Sequence, residues 1–162
     1  METNFAPVPA TENRSNYLAI LFGGLLAGTL DLTSAFIVTA FKSGNYAGML
    51  QGIASGLLGK ESFTGGAATA VLGVLLHFTI AFIWTIIFYL ASRRIKFLTA
   101  QPILSGVLYG VLVYVLMYYV IVSLSAAPFK MPHDFAATVR DVFIHIVCIG
   151  LPIALVVRRF SK

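Results

Sequence analysis

The chain has 162 residues, 59% of them hydrophobic and only 10% charged, with a net charge of +5. A soluble domain carries about 25% charged residues, so this chain lacks the polar surface to cover itself in water, and its length allows one compact domain. The 11 Lys and Arg lie between apolar runs and form no patch or stripe, a pattern of membrane topology and lipid headgroup contact that excludes nucleic acid as a partner.

Residues 1–16 are a polar N-terminal tail carrying Pro7 and Pro9. The apolar run that follows, about 24 residues, is too long for the about 7–15 residues of a signal-peptide core. It predicts a retained transmembrane helix over 17–41, ended by Lys42-Ser43-Gly44-Asn45. In residues 44–60, Gly44, Gly48, Gly52 and Gly56 recur every four residues and make one smooth helical ridge. That segment spans only about 25 Å as a helix. It therefore reads as a short re-entrant or interfacial helix packed on the bundle by its glycine face, with a structured extracellular loop as the alternative.

A second transmembrane helix is predicted over 67–92, stopped by Arg93-Arg94-Ile95-Lys96. The third covers 102–127, with Pro102 in its first turn and Thr99 or Gln101 as candidate cap. Met131-Pro132-His133-Asp134 connects it to the fourth, over 135–157, for which Asp134 is the expected N-cap. Residues 158–162 form a basic tail. The fold class is an all-α membrane protein of four transmembrane helices plus the short Gly-rich helix, with the lipid bilayer as its partner.

Positive charge sets the orientation. Arg14, Arg93, Arg94, Lys96, Arg158, Arg159 and Lys162 fall on one side, and Lys42, Lys60, Lys130 and Arg140 on the other. The excess places both termini in the cytoplasm.

Four ionisable residues interrupt the apolar runs: Asp31, His77, Asp141 and His145. An Asp, Lys or Arg at a helix centre costs about 2.5–3.5 kcal/mol on insertion scales, so such residues face the bundle interior and take partners. At 1.5 Å per residue, all four lie roughly 18–24 Å above the cytoplasmic ends of their helices, in one layer. Asp31 shares a helix face with Gly24 and Gly28, and His77 with Gly73 and Ala81, so both faces suit close helix contact. Asp141 and His145 are an i,i+4 pair, and Cys148 and Pro152 continue their stripe. A carboxylate one turn before an imidazole can orient the ring.

Three readings stay open. The cluster relays protons or handles an ion or small solute. Or it fixes helix packing in a structural or interaction protein, with a homo-oligomer formed through the glycine ridge. Or His77, Asp141 and His145 hold a metal, or the two imidazoles a haem. No cofactor is named by the residues. Arg140 is able to neutralise Asp141. Tyr114 and Tyr118 are hydrogen-bonding accessories that more often serve packing. The single cysteine, Cys148, excludes an internal disulfide and sits in apolar surroundings that favour an inert thiol. No catalytic motif occurs, neither G-x-S-x-G, P-loop, G-x-G-x-x-G nor H-E-x-x-H, and no enzymatic activity is expected.

His77-Phe78-Thr79-Ile80-Ala81-Phe82 with Phe88-Tyr89, and Asp141-Val142-Phe143-Ile144-His145 with Val157-Arg158-Arg159, resemble the YagU-like family of bacterial inner-membrane proteins. In that family an acidic residue also precedes a histidine by four in the last helix. The resemblance implies a bacterial cytoplasmic membrane and supplies no activity. Reporter fusions or protease accessibility are expected to place both termini on one face of the membrane. Termini on opposite faces would refute four crossings.

Overall fold

The computed structural model describes residues 10–129 and 134–160. Residues 1–9, Lys130, the Met131-Pro132-His133 connection and Lys162 lie outside the described residues, as does the side chain of Arg14. Among the described residues there are helices and turns and no strand. Four helices are long and apolar enough to cross a membrane: Asn16–Lys42, Gly66–Ser92, Pro102–Leu124 and Phe135–Phe160. The chain is an all-α, multi-pass membrane protein. Large apolar side chains such as Leu21, Ile83, Leu108 and Phe143 are exposed on its outside, where acyl chains take the place of water.

The first span lies in α1 (Ala10–Lys42), which begins within the polar stretch expected to be a tail, since nothing after Pro9 in the sequence breaks a helix. Gly44 closes it. At φ 65° its N–H reaches back to the Thr39 carbonyl at 2.8 Å, a left-handed ending that glycine adopts without strain. Asn45 then starts α2 (Tyr46–Leu58), its side-chain oxygen accepting from the Gly48 N–H at 2.9 Å. A 3-10 turn, Gly59–Phe63, leads to the second span, α3 (Gly66–Ser92). A short α4 (Phe97–Ala100) precedes the third span.

The third span is α5 (Pro102–Val115), a π-helical turn over Leu116–Ile121 and α6 (Val122–Leu124). Pro102 occupies its first turn, and Gln101 stands at the N-cap position without a side-chain cap bond, while the Thr99 hydroxyl donates to the Lys96 carbonyl. It stops three residues short of the expected end because Ser125 turns extended, at ψ 172°. The fourth span is α7 (Phe135–Ile144), a π-helical turn over His145–Gly150 and α8 (Leu151–Phe160). Asp134 caps it by accepting from the Ala137 N–H at 2.9 Å. In both π-turns the following N–H bonds five residues back, Val122 to the Met117 carbonyl and Leu151 to the Ile146 carbonyl.

Small residues decide how the spans meet. The Phe82 ring lies over Gly24, and a Cβ on Gly28 would sit 2.8 Å from the Phe78 ring, so the first and second spans interlock glycine under aromatic. The third and fourth spans meet backbone to backbone. A Cβ on Gly110 would stand 2.8 Å from the His145 carbonyl oxygen, one on Gly106 2.9 Å from Leu151 Cα, and one on Gly150 2.6 Å from the Gly110 nitrogen. Without a hydrophobic force between helices in lipid, such close approach is what supplies contact energy. Toward one end, Trp84, Phe88, Tyr109, Val113, Ile153 and Val157 form the apolar core. The Tyr109 hydroxyl donates to the Trp84 carbonyl at 2.6 Å and ties the second span to the third.

The glycine ridge of α2 departs from expectation. It does not pack on a neighbouring span. Instead the Leu50 carbonyl presses against Gly73 of α3, on the side where Gln51, Ala54 and Ser55 are buried. A Cβ on Gly52 would meet nothing within 4 Å, and one on Gly48 would meet only the cap side chain of Asn45. The packing surface of α2 is therefore its Leu50-Gln51-Ala54 side, and the ridge is left bare. Gly110→Leu is expected to lower stability by about 1–3 kcal/mol through overpacking, read as a lower Tm in detergent. Gly52→Leu, entering open space, should leave Tm within experimental scatter.

Candidate functional site

The bare ridge is one wall of a cavity of about 570 Å³, inside the roughly 300–1,000 Å³ range of small-molecule sites. The first span contributes Ala27, Asp31 and Ala35, residues that share a face at four-residue spacing. The second contributes His77, Ala81 and Trp84. Met117, Tyr118 and Ile121 come from the π-turn of the third span, and His145 and Ile149 from that of the fourth. A π-turn widens the helix locally and re-aims its side chains, and such turns are frequent at functional sites.

Each histidine is fixed by a backbone carbonyl. His77 Nε2 lies 2.9 Å from the Gly28 carbonyl oxygen of the first span. His145 Nδ1 lies 2.7 Å from the Asp141 carbonyl oxygen one turn earlier. A carbonyl only accepts, so Nε2 of His77 and Nδ1 of His145 each carry a proton. Tyr114 and Tyr118 hold the His145 ring edge-on, at centroid distances of 5.6 and 5.9 Å.

The two aspartates differ. Asp141 is fully engaged. Its Oδ1 accepts from Arg140 Nε and from a second Arg140 guanidinium nitrogen, each at 2.7 Å, and its Oδ2 accepts from the Tyr118 hydroxyl at 2.9 Å. The expected carboxylate–imidazole pair is thus replaced. The main chain of Asp141 orients His145, while its carboxylate is spent on Arg140 and Tyr118 and does not line the cavity. Asp31 does line it. Among the described residues its carboxylate has no hydrogen bond or ion pair, and the ionisable side chains around it include His145 and His77. Cys148, a free and half-buried thiol, lies beside Ser34 and Asp31.

The structure thus brings Asp31, His77 and His145 to one cavity from three spans, with Tyr118 beside them, and leaves Asp141 behind Tyr118. Gly48, Gly52 and Gly56 line the same space. Gly44 ends a helix, and Gly24 and Gly28 serve packing. Among the described residues no three His, Cys, Asp or Glu side chains lie close enough together to hold a metal ion, so His77, Asp141 and His145 are not a ready-made ligand set. Trp84 and Met117 are lining residues that sequence reasoning missed. The Gly106-x-x-x-Gly110 spacing was the available sign of the crossing that positions His145.

Comparison of the chain with protein-family models, with curated proteins and with solved structures found no match.

The two carboxylates should respond oppositely to neutralisation. Asp141→Asn loses a charge-assisted contact and is expected to cost about 1–2 kcal/mol, kept small because Arg140 is one-third exposed. Asp31→Asn removes an unpartnered charge from apolar surroundings and should leave Tm equal or higher. Thermal melts in detergent decide this. An equal loss from both variants would show that Asp31 has a partner.

Proposed function

We propose that the protein is a small membrane carrier that passes protons by way of Asp31, His77 and His145 and takes a solute in the cavity they line. The observation that carries this reading is the convergence of these three groups, each from a different span, on one cavity of ligand size. Ionisable residues inside a membrane domain that face a cavity mark substrate or proton pathways. A carboxylate kept only for packing would be paired, as Asp141 is by Arg140 and Tyr118. Asp31 has no such pairing. Around Asp31 stand His77 on the second span and His145 and Cys148 on the fourth.

We set both termini on the cytoplasmic side, from the excess of Lys and Arg there. In that orientation α2 is an interfacial helix at the outer end of the bundle, its ridge roofing the cavity. It is held there by Gln51 Nε2 donating to the Gly66 carbonyl at 3.0 Å and by the Ala126 N–H donating to the Gly56 carbonyl at 3.0 Å. On the resemblance to the YagU-like family we place the protein in a bacterial cytoplasmic membrane. The structural reading is favoured only for Asp141, and a homo-oligomer through the glycine ridge is the weaker reading because that ridge faces inward.

The test is proton flux into liposomes carrying a pH-sensitive dye, under an imposed gradient. Flux is expected with the wild-type protein, and His145→Ala and Asp31→Asn should cut it about tenfold or more, with Asp141→Asn affecting it less. Flux that is absent, or equal in all four proteins, would overturn the reading.

A further inference from the structure

We propose that the solute taken by the cavity is an amphipathic organic monocation, an ammonium on an aliphatic or aromatic body. This rests on the carrier reading and names its substrate class. The argument begins with charge. Among the described residues no Lys or Arg lines the cavity, and Arg140 is committed to Asp141. Asp31 is the one carboxylate among the described lining residues, and it has no Lys or Arg partner there. A carboxylate in apolar surroundings is costly until it meets a positive partner, which a bound cation supplies.

The hydrogen-bonding groups point the same way. Nε2 of His77 and Nδ1 of His145 donate to the Gly28 and Asp141 carbonyls, so the second nitrogen of each ring is an acceptor whenever it carries no proton. The Tyr118 proton is given to Asp141, and the Ser125 proton to the Val122 carbonyl. Against these acceptors stands one uncommitted side-chain donor among the described lining residues, the Trp84 indole N–H. A ligand bearing N–H donors satisfies this set, and an anion or a pure acceptor does not. The rest of the wall suits its body. Trp84, Phe63 and Phe129 supply aromatic lining of the kind that attracts cations, and Met49 and Met117 are thioethers that adapt to varied shapes. A proton and an organic cation compete for Asp31, so loading one releases the other. That competition couples the solute to the proton without any covalent step.

The chain carries its own reporter, because Trp84 is the only tryptophan and lines the cavity. Purified protein is titrated with 4-phenylbutylammonium, 4-phenylbutanol and 4-phenylbutyrate, which share a body and differ in charge, while Trp84 emission is followed. The ammonium is expected to give a saturable shift with an affinity about tenfold or more above the alcohol, and the carboxylate none. Asp31→Asn should erase the preference for ammonium over alcohol. Gly52→Leu, which fills the cavity without touching Asp31, should weaken both. Circular dichroism and Tm confirm that each variant is folded.

Equal binding of alcohol and ammonium, or a preference that survives Asp31→Asn, overturns the cation assignment while the cavity stands as a binding site. If no probe moves Trp84 emission and proton flux remains sensitive to His145→Ala, the solute class is overturned and proton handling survives. If that flux is missing as well, the carrier reading fails with it.

Discussion

Gly110 has no side chain, and the main chain of His145 and Ile146 fills the space that one would take. In lipid there is no water to squeeze helices together, so the energy of assembly comes from how closely they approach. Gly106, Gly110 and Gly150 bring the third and fourth spans into backbone contact. About two turns beyond Gly110, Tyr118 is then close enough to reach Asp141, and with Tyr114 to frame the His145 ring. A similar approach of Gly24 and Gly28 to the second span lets His77 hydrogen-bond the Gly28 carbonyl. The polar layer of the protein is thus a product of where side chains are missing. The cavity is what remains between two such tight pairs once α2 presents a bare face toward it.

Within this layer the two aspartates show how lipid-buried charge is handled. Asp141 is answered on both oxygens, and its neighbourhood is a closed network that fixes ring orientation. Asp31 is answered on neither, and it faces open space. Networks that are fully satisfied rigidify, whereas an unanswered polar group is retained where something else completes it. The contrast separates the two residues more sharply than residue counting along the helices does.

The spans were legible because apolar runs of this length have few alternatives and because Pro102 and Asp134 mark helix starts. The shared level of Asp31, His77 and His145 followed from counting residues along straight helices. Other features had no local signature. Spacing places Asp141 and His145 on one face, yet it cannot say whether a carboxylate or a carbonyl meets the ring. Neighbours in sequence normally point apart on a helix, so the pairing of Asp141 with Arg140 depends on a long side chain folding back. A glycine every four residues makes a smooth surface, and a smooth surface suits a helix contact and a cavity wall equally. The π-turns are set by the tertiary crossing, with Pro152, which cannot donate a backbone hydrogen bond, as their nearest hint.

That bare wall has an evolutionary consequence. The positions that assemble the bundle, such as Gly106, Gly110 and Gly150, are distinct from those that contour its interior, such as Gly52 and Gly56. Each methyl group acquired on α2 would remould the chamber while the scaffold stays untouched. Scaffold and chamber are written in separate sets of codons, so descendants of this chain are free to alter the outline of the chamber without relearning how to fold.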